Sequence, residues 1–209
     1  MNFEYADRAI KDMNRRILRA FNGLRTMKFD ELNVMRSVNS VYDELVRRAK
    51  RWFLDIAEDA YILALVEAGI AEDEAKKKAE ADITEEWVLD MLEEYDGVTL
   101  YSFDNEVERK KQRTSEALLA NETERNNEID RSIRLFANQI AQYADNAVTY
   151  ATIDGYIEAG VKKVRWHTQE DERVCEECDS LDGRVFDIED IPDRPHWKCR
   201  CWLSPADKE

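Results

Sequence analysis

Trp166-His-Thr-Gln-Glu-Asp-Glu-Arg-Val-Cys175-Glu-Glu-Cys178-Asp-Ser-Leu181-Asp-Gly183-Arg-Val-Phe186, closing on Pro195-His196-Trp-Lys-Cys199-Arg-Cys201-Trp-Leu-Ser-Pro205, contains every cysteine of the 209-residue chain. Cys175 and Cys178 form a C-x-x-C, a spacing at which a tight turn aims two thiolates at one tetrahedral metal. Cys199 and Cys201 stand two apart, so on a strand they share a face. His196 precedes Cys199 by three residues. Five soft or borderline donors thus converge on a site that needs four, and zinc is the economical reading.

Around the cysteines the pattern is that of a small β-containing module. Lys163-Val-Arg-Trp-His-Thr168 alternates like a half-buried strand, and Arg184-Val-Phe186 repeats the alternation after a turn at Leu181-Asp-Gly183 in which Gly183 can take positive φ. Pro192 and Pro195 cannot donate to a ladder, which makes 188–195 an irregular connection to a final strand expected at Cys199–Leu203. A metal would staple the two ends.

Trp166, Asp171, the Cys175/Cys178 pair, Leu181-Asp-Gly183, Phe186 and the closing His196-x-x-Cys199-Arg-Cys201 together resemble the C-terminal domain of the phage Mu F-like minor head proteins, also called phage head morphogenesis proteins. Order, spacing and residue types agree over about the last fifty residues. The family usually has a proline where Trp197 stands here, which leaves the donors intact and changes the loop. The resemblance implies a minor structural protein of a tailed-phage head, associated with the portal vertex and acting in head assembly and DNA packaging or ejection. Its partners would be the portal protein or the major capsid protein, with possible contact to packaged DNA, and several copies would act in one assembly. It would reside in the virion near the portal, and in the host cytoplasm during assembly. No catalytic residue is carried over.

Composition agrees with a folded chain. Residues are 44% apolar, with five Trp, eight Tyr and seven Phe, and 37% charged, with a formal net charge of −15. Duplex DNA is repelled on average by such a surface. Basic clusters such as Arg47-Arg48-Ala-Lys50-Arg51 and Arg109-Lys-Lys-Gln-Arg113 read first as solvated helix faces. No apolar run reaches the length of a membrane span, and Met1-Asn-Phe-Glu lacks a basic start with an apolar signal core, so a soluble, unsecreted protein is expected. In a reducing cytosol, clustered cysteines favour metal over disulfides.

Ahead of the cysteine module, the pattern is helical. Phe3, Ala6, Ile10, Met13, Ile17, Phe21 and Leu24 mark an amphipathic helix over 2–26. Asp30 caps a long second helix to Ala68, with Leu32, Met35, Val38, Tyr42, Leu45, Trp52, Ile56 and Leu63 on its buried side and Gly69 as its stop. A short helix at 72–81 precedes one capped by Thr84 over 85–95, broken by Asp96-Gly97. Val98–Phe103 reads as a short strand or an extended connection, and the connection is expected because no second strand lies nearby in sequence. A charged helix runs from Asp104 to about Ala120, and a last one from about Thr123 to Ala159 contains Gly155 and ends at Gly160. The fold class is therefore mainly α: an elongated helical bundle over 1–160, followed by a zinc-stapled α+β or β-hairpin module over 161–209 that packs against it.

The chemistry expected of the site is structural. Cys175, Cys178, Cys199 and Cys201 form the metal shell, with His196 as a neighbour or as the replacement for one thiolate. A redox C-x-x-C would need the βαβ setting of a thioredoxin-like fold, which is missing. A hydrolytic zinc keeps an open position, whereas here the protein donors suffice to close the shell. His167-Thr-Gln-Glu170 has the wrong spacing for a deaminase. A zinc-stabilised nuclease, with His167 as the unspent histidine, is the competing class, and a sequence-neutral DNA-binding module is a third. Asp171 and Glu172 read as caps of the Cys175 turn, and Trp166, Trp197 and Trp202 as apolar cover for a module too small to bury much else.

Overall fold

The computed structural model describes residues 4–95, 100–169, 174–196, 199 and 201–206. Among them run seven α-helices, α1 (Glu4–Arg25), α2 (Val34–Glu67), α3 (Glu72–Asp82), α4 (Glu85–Met91), α5 (Phe103–Leu118), α6 (Glu122–Glu158) and α7 (Glu176–Leu181). Five short strands accompany them: β1 (Glu93–Tyr95), β2 (Leu100–Ser102), β3 (Lys163–His167), β4 (Val185–Asp187) and β5 (Trp202–Pro205). No helix among the described residues is long and apolar enough to cross a membrane. The chain forms two compact units, one of residues 2–53 and 88–143, the other chiefly of 54–87 and 144–209.

In the first unit, the expected stripe Met13, Ile17, Phe21 and Leu24 is buried along α1. The Asp30 carboxylate accepts the backbone N–H groups of Leu32 and Asn33, both at 2.9 Å, in a turn just ahead of α2. That turn corrects two assignments. Leu32 is 89% exposed because it lies before the helix begins, and Met35 is 48% exposed because the buried stripe starts instead at Val34 and continues through Val38, Tyr42, Leu45, Ala49 and Phe53. The rings of Phe21, Tyr42, Phe53, Phe103, Phe136 and Tyr143 then interlock, several edge to face at centroid distances of 5.1 to 6.3 Å. Tyr42 Oη meets Thr114 Oγ1 at 3.0 Å, and Thr114 Oγ1 meets Ser132 Oγ at 3.2 Å, so the buried hydroxyls are satisfied within the core.

The segment after α4 departs from expectation. α4 stops at Met91, and Glu93–Tyr95, expected as its last turn, pairs antiparallel with Leu100–Ser102 in the register Glu93↔Ser102. The partner strand was hidden in residues with good helix propensity; tertiary pairing overrode that propensity. Asp96-Gly97 and Val98 lie outside the described residues. Ser102 ends β2 and its hydroxyl accepts the Asn105 N–H, so it caps α5, which begins at Phe103, one residue before the expected start at Asp104. The Thr84 cap of α4 is as expected, with Oγ1 accepting the Trp87 N–H at 3.2 Å.

In the second unit, α6 ends at Glu158 and is closed off by Gly160, whose φ of 78° lets Val161 N–H reach Tyr156 C=O at 3.0 Å and Gly160 N–H reach Ile157 C=O at 2.9 Å. The chain then enters β3, the central strand of an antiparallel sheet ordered β4-β3-β5. Val164 and Trp166 alternate inward from β3 and share one core with Ala64 of α2, Tyr156 of α6, Cys178, Cys199, Cys201 and Leu203. Cysteine module and helices are thus stabilised by a common apolar cluster.

Gly155 shows how closely α2 and α6 meet in this unit. A Cβ placed there would lie 2.9 Å from the Ala64 Cβ and 3.0 Å from the Tyr61 carbonyl oxygen. Helix propensity alone would favour alanine by about 1 kcal/mol. Overpacking against backbone costs about 1–3 kcal/mol, so Gly155→Ala is expected to lower the urea midpoint rather than raise it.

Beside it, Tyr156 Oη donates to Glu67 Oε2 at 2.6 Å and lies 3.2 Å from the Leu203 carbonyl, tying α6 to α2 and β5. Burial, aided by the Glu67 carboxylate, pushes this phenol above its ordinary value of 10.0. A raised pKa means the folded state holds the proton more tightly, so this stabilisation is complete below pH 10 and is lost as pH climbs above it. Tyr156→Phe should cost roughly 1–2 kcal/mol at neutral pH and flatten the alkaline limb of a stability-against-pH curve.

Candidate metal centre

Cys175 is the N-cap of α7: its sulfur accepts the Cys178 N–H at 3.4 Å, while its carbonyl accepts the Asp179 N–H at 2.9 Å. The C-x-x-C therefore forms one helical turn rather than the isolated tight turn expected, and this turn presents both sulfurs on one side. Asp171 and Glu172, read as caps of this turn, lie outside the described residues, as does Trp197.

Behind α7, the Leu181-Asp-Gly183 turn fastens the knuckle to the sheet. Gly183 adopts φ 70°, as its place in the turn predicts. Its N–H donates to the Trp166 carbonyl at 2.9 Å, Trp166 N–H donates to the Arg184 carbonyl at 2.9 Å, and the Asp182 carboxylate accepts the Thr168 N–H at 2.7 Å.

The second pair of cysteines arrives differently from the expectation. β5 begins at Trp202, so Cys199 and Cys201 precede the strand instead of sharing one of its faces. Pairing stops there because the β3 partner ends at His167, opposite Trp202. Arg194 organises the approach: its guanidinium donates to the Cys199 carbonyl at 2.8 Å and reaches toward the Cys201 carbonyl at 3.4 Å. The sequence held no sign of this role beyond an arginine beside Pro195.

All five expected donors come together. Cys175, Cys178 and His196 form one group, and Cys178, Cys199 and Cys201 another, with the donor atoms of each group within 4.8 Å of one another. Cys178 belongs to both. Its Sγ is 3.5 Å from Cys199 Sγ and 3.3 Å from His196 Nε2. A tetrahedral shell with metal–sulfur bonds of about 2.3 Å has sulfur–sulfur edges of about 3.8 Å, so the spacing fits a metal with small adjustment. Cys178, Cys199 and Cys201 are buried, Cys175 is half-buried and His196 is exposed.

The electrostatics point the same way. Burial and the adjacent thiols push the Cys178 thiol far up, and burial pushes Cys201 up, whereas Cys175 is drawn down chiefly by the Cys178 N–H it accepts. Packed thiols of this kind resist ionisation among themselves. A divalent cation reverses that preference by making each thiolate a ligand.

His167, the unspent histidine, is engaged on the sheet. Its ring stacks on Trp202 at 4.1 Å, and Nε2 is 2.8 Å from Ser204 Oγ. Trp166 is buried, as apolar cover should be, and meets Phe186 edge to face; Trp202 is half-buried.

A family model described as phage Mu protein F like protein matches residues 59–204, more than half of the chain. Neither a curated protein nor a solved structure matches it.

Proposed function

The chain belongs to the phage Mu protein F-like family, whose members are phage head morphogenesis proteins, and from that premise we propose that it is a minor structural protein of the head bound at the portal vertex. It assembles there in several copies on the portal protein or the major capsid protein, having met them in the host cytoplasm, and acts in DNA packaging or ejection. The match over 59–204 carries this reading, because it spans the second unit's helices as well as the cysteine motif. Co-expression with portal and capsid proteins, followed by pull-down, tests it. Stable association with either is expected; association with neither removes the portal assignment.

The metal in this reading is zinc, held by Cys175, Cys178, Cys199 and Cys201, with His196 beside the shell. Soft thiolates in tetrahedral array select zinc over hard cations. Four thiolates fill the coordination sphere, so the ion serves as a staple and the protein is not an enzyme.

A DNA contact is favoured by one observation, the segregation of charge along the chain. Residues 1–53 carry twelve Lys and Arg against seven Asp and Glu, while residues 54–209 carry nineteen against thirty-nine. Arg15 and Arg19 on α1, and Arg36 and Arg47 on α2, are exposed on the sides opposite the buried stripes. Duplex binding that falls steeply with salt, and is lost when these four arginines become glutamate, is expected in a filter assay. Unchanged binding would remove the DNA contact. Nicking of plasmid by magnesium or manganese, lost in His167→Ala, would replace the assembly reading with a zinc-stabilised nuclease.

A further inference from the structure

The donors of the metal centre fall into two overlapping triplets, an arrangement that a single closed shell of four does not explain. Cys175, Cys178 and His196 form one triplet and Cys178, Cys199 and Cys201 the other, each with its donor atoms within 4.8 Å. Among the described residues, no four of these donors meet that limit together. The triplets also differ in access. The inner one is buried at all three positions, whereas the outer one grades from buried Cys178 through half-buried Cys175 to exposed His196. Cys178 belongs to both, its Sγ 3.5 Å from Cys199 Sγ and 3.3 Å from His196 Nε2.

A resident zinc takes four donors, and here five are within reach. An ion held among buried thiolates does not enter or leave by losing all its bonds at once, because a bare cation in an apolar core is too costly. It moves by substitution, one bond forming as another breaks. The group that assists must lie beside the shell, accept zinc in the company of thiolates, and reach solvent. His196 meets all three terms: its ring nitrogen lies against the sulfur that both triplets share, imidazole is an ordinary zinc donor, and the residue is exposed on a stretch outside helix and strand.

We propose that His196 is the exchange ligand of the metal centre, through which zinc enters and leaves the four-thiolate shell by way of the outer triplet. On the way out, the bonds from zinc to the Cys199 and Cys201 sulfurs break and one to His196 Nε2 forms, with water in the fourth position. Each departing thiolate keeps its bonding pair and takes a proton from solvent, as metal binding in the other direction releases one. Water then displaces the outer donors. The inference rests on the zinc reading of the site and gives the fifth donor a task that the resident shell leaves open.

The test uses the full chain with zinc bound, under reducing conditions, and follows release of zinc to a chromophoric chelator beside exchange of bound zinc for cadmium. A transient ligand lowers the barrier without belonging to either end state. His196→Ala should therefore slow release and exchange by the same factor, roughly tenfold, while the affinity for zinc stays as in the wild type, and added imidazole should restore the rate. A resident ligand behaves in the opposite way. Faster release with weakened affinity in His196→Ala would place His196 in the shell, and two zinc ions per wild-type chain would make the outer triplet a site of its own. Either result, or unchanged rates, overturns the proposal and leaves the metal reading standing. A wild-type chain that holds no zinc overturns both.

Discussion

Replacing Cys178 with serine is expected to abolish metal binding and unravel the C-terminal sheet, the largest effect of any single substitution in the chain. Cys178 is the donor common to both groups, and it lies 3% exposed with its sulfur against Cys199 and His196. Structural zinc contributes on the order of 10 kcal/mol or more to the folding of small modules, more than the apolar burial available here could replace. Three outcomes should grade by position. Cys178→Ser falls from about one metal per chain to nearly none; Cys175→Ser, at the half-buried rim, keeps weakened binding; His196→Ala, at an exposed neighbour, keeps most of it. Metal analysis under reducing conditions reads the stoichiometry, and tryptophan emission, to which Trp166 contributes with four other tryptophans, reads the loss of packing. A full equivalent of metal retained in Cys178→Ser, or less than half an equivalent in the wild type, would end the metal assignment.

The cysteine module was the most legible part of the sequence, because its chemistry is written in residue types that have few other uses. Five donors within 27 residues, a turn glycine and two non-donating prolines set the order of strand, knuckle, hairpin and return through residue types alone. What escaped was local: the helical form of the Cys175 turn and the start of β5 at Trp202 depend on backbone bonds that residue types do not announce. Arg194 escaped for the same reason, since its partners are carbonyls. The helices were legible in length and stops because capping and glycine signals are strong. Their faces were less so at the ends. Leu32 sits in the turn that precedes the helix and Met35 is the second residue of α2, and a shift of one residue there rotates an apolar side chain by about 100°. Glu93–Tyr95 failed differently, because a three-residue strand leaves no periodicity to detect. Gly155 was visible only as a cost within a helix; its reason, the Ala64 and Tyr61 atoms on α2, required the packing.

Phe136→Ala is the second large effect expected, at about 3–5 kcal/mol lost from the first unit. The ring is fully buried and lies 6.3 Å from Phe21, 5.6 Å from Tyr42 and 6.4 Å from Phe103, so it touches side chains of α1, α2 and α5 from its place on α6. Removing it leaves a void that these rings cannot close together, since Tyr42 is held by its hydrogen bond to Thr114 and Phe103 is held edge to face by Tyr143. The neighbouring Leu135, 39% exposed, provides the control. Its truncation removes a partly hydrated side chain and should cost under about 1 kcal/mol. Urea unfolding followed by circular dichroism compares the two. A Phe136→Ala midpoint as close to wild type as that of Leu135→Ala would mean that the aromatic cluster does not form the core of this unit.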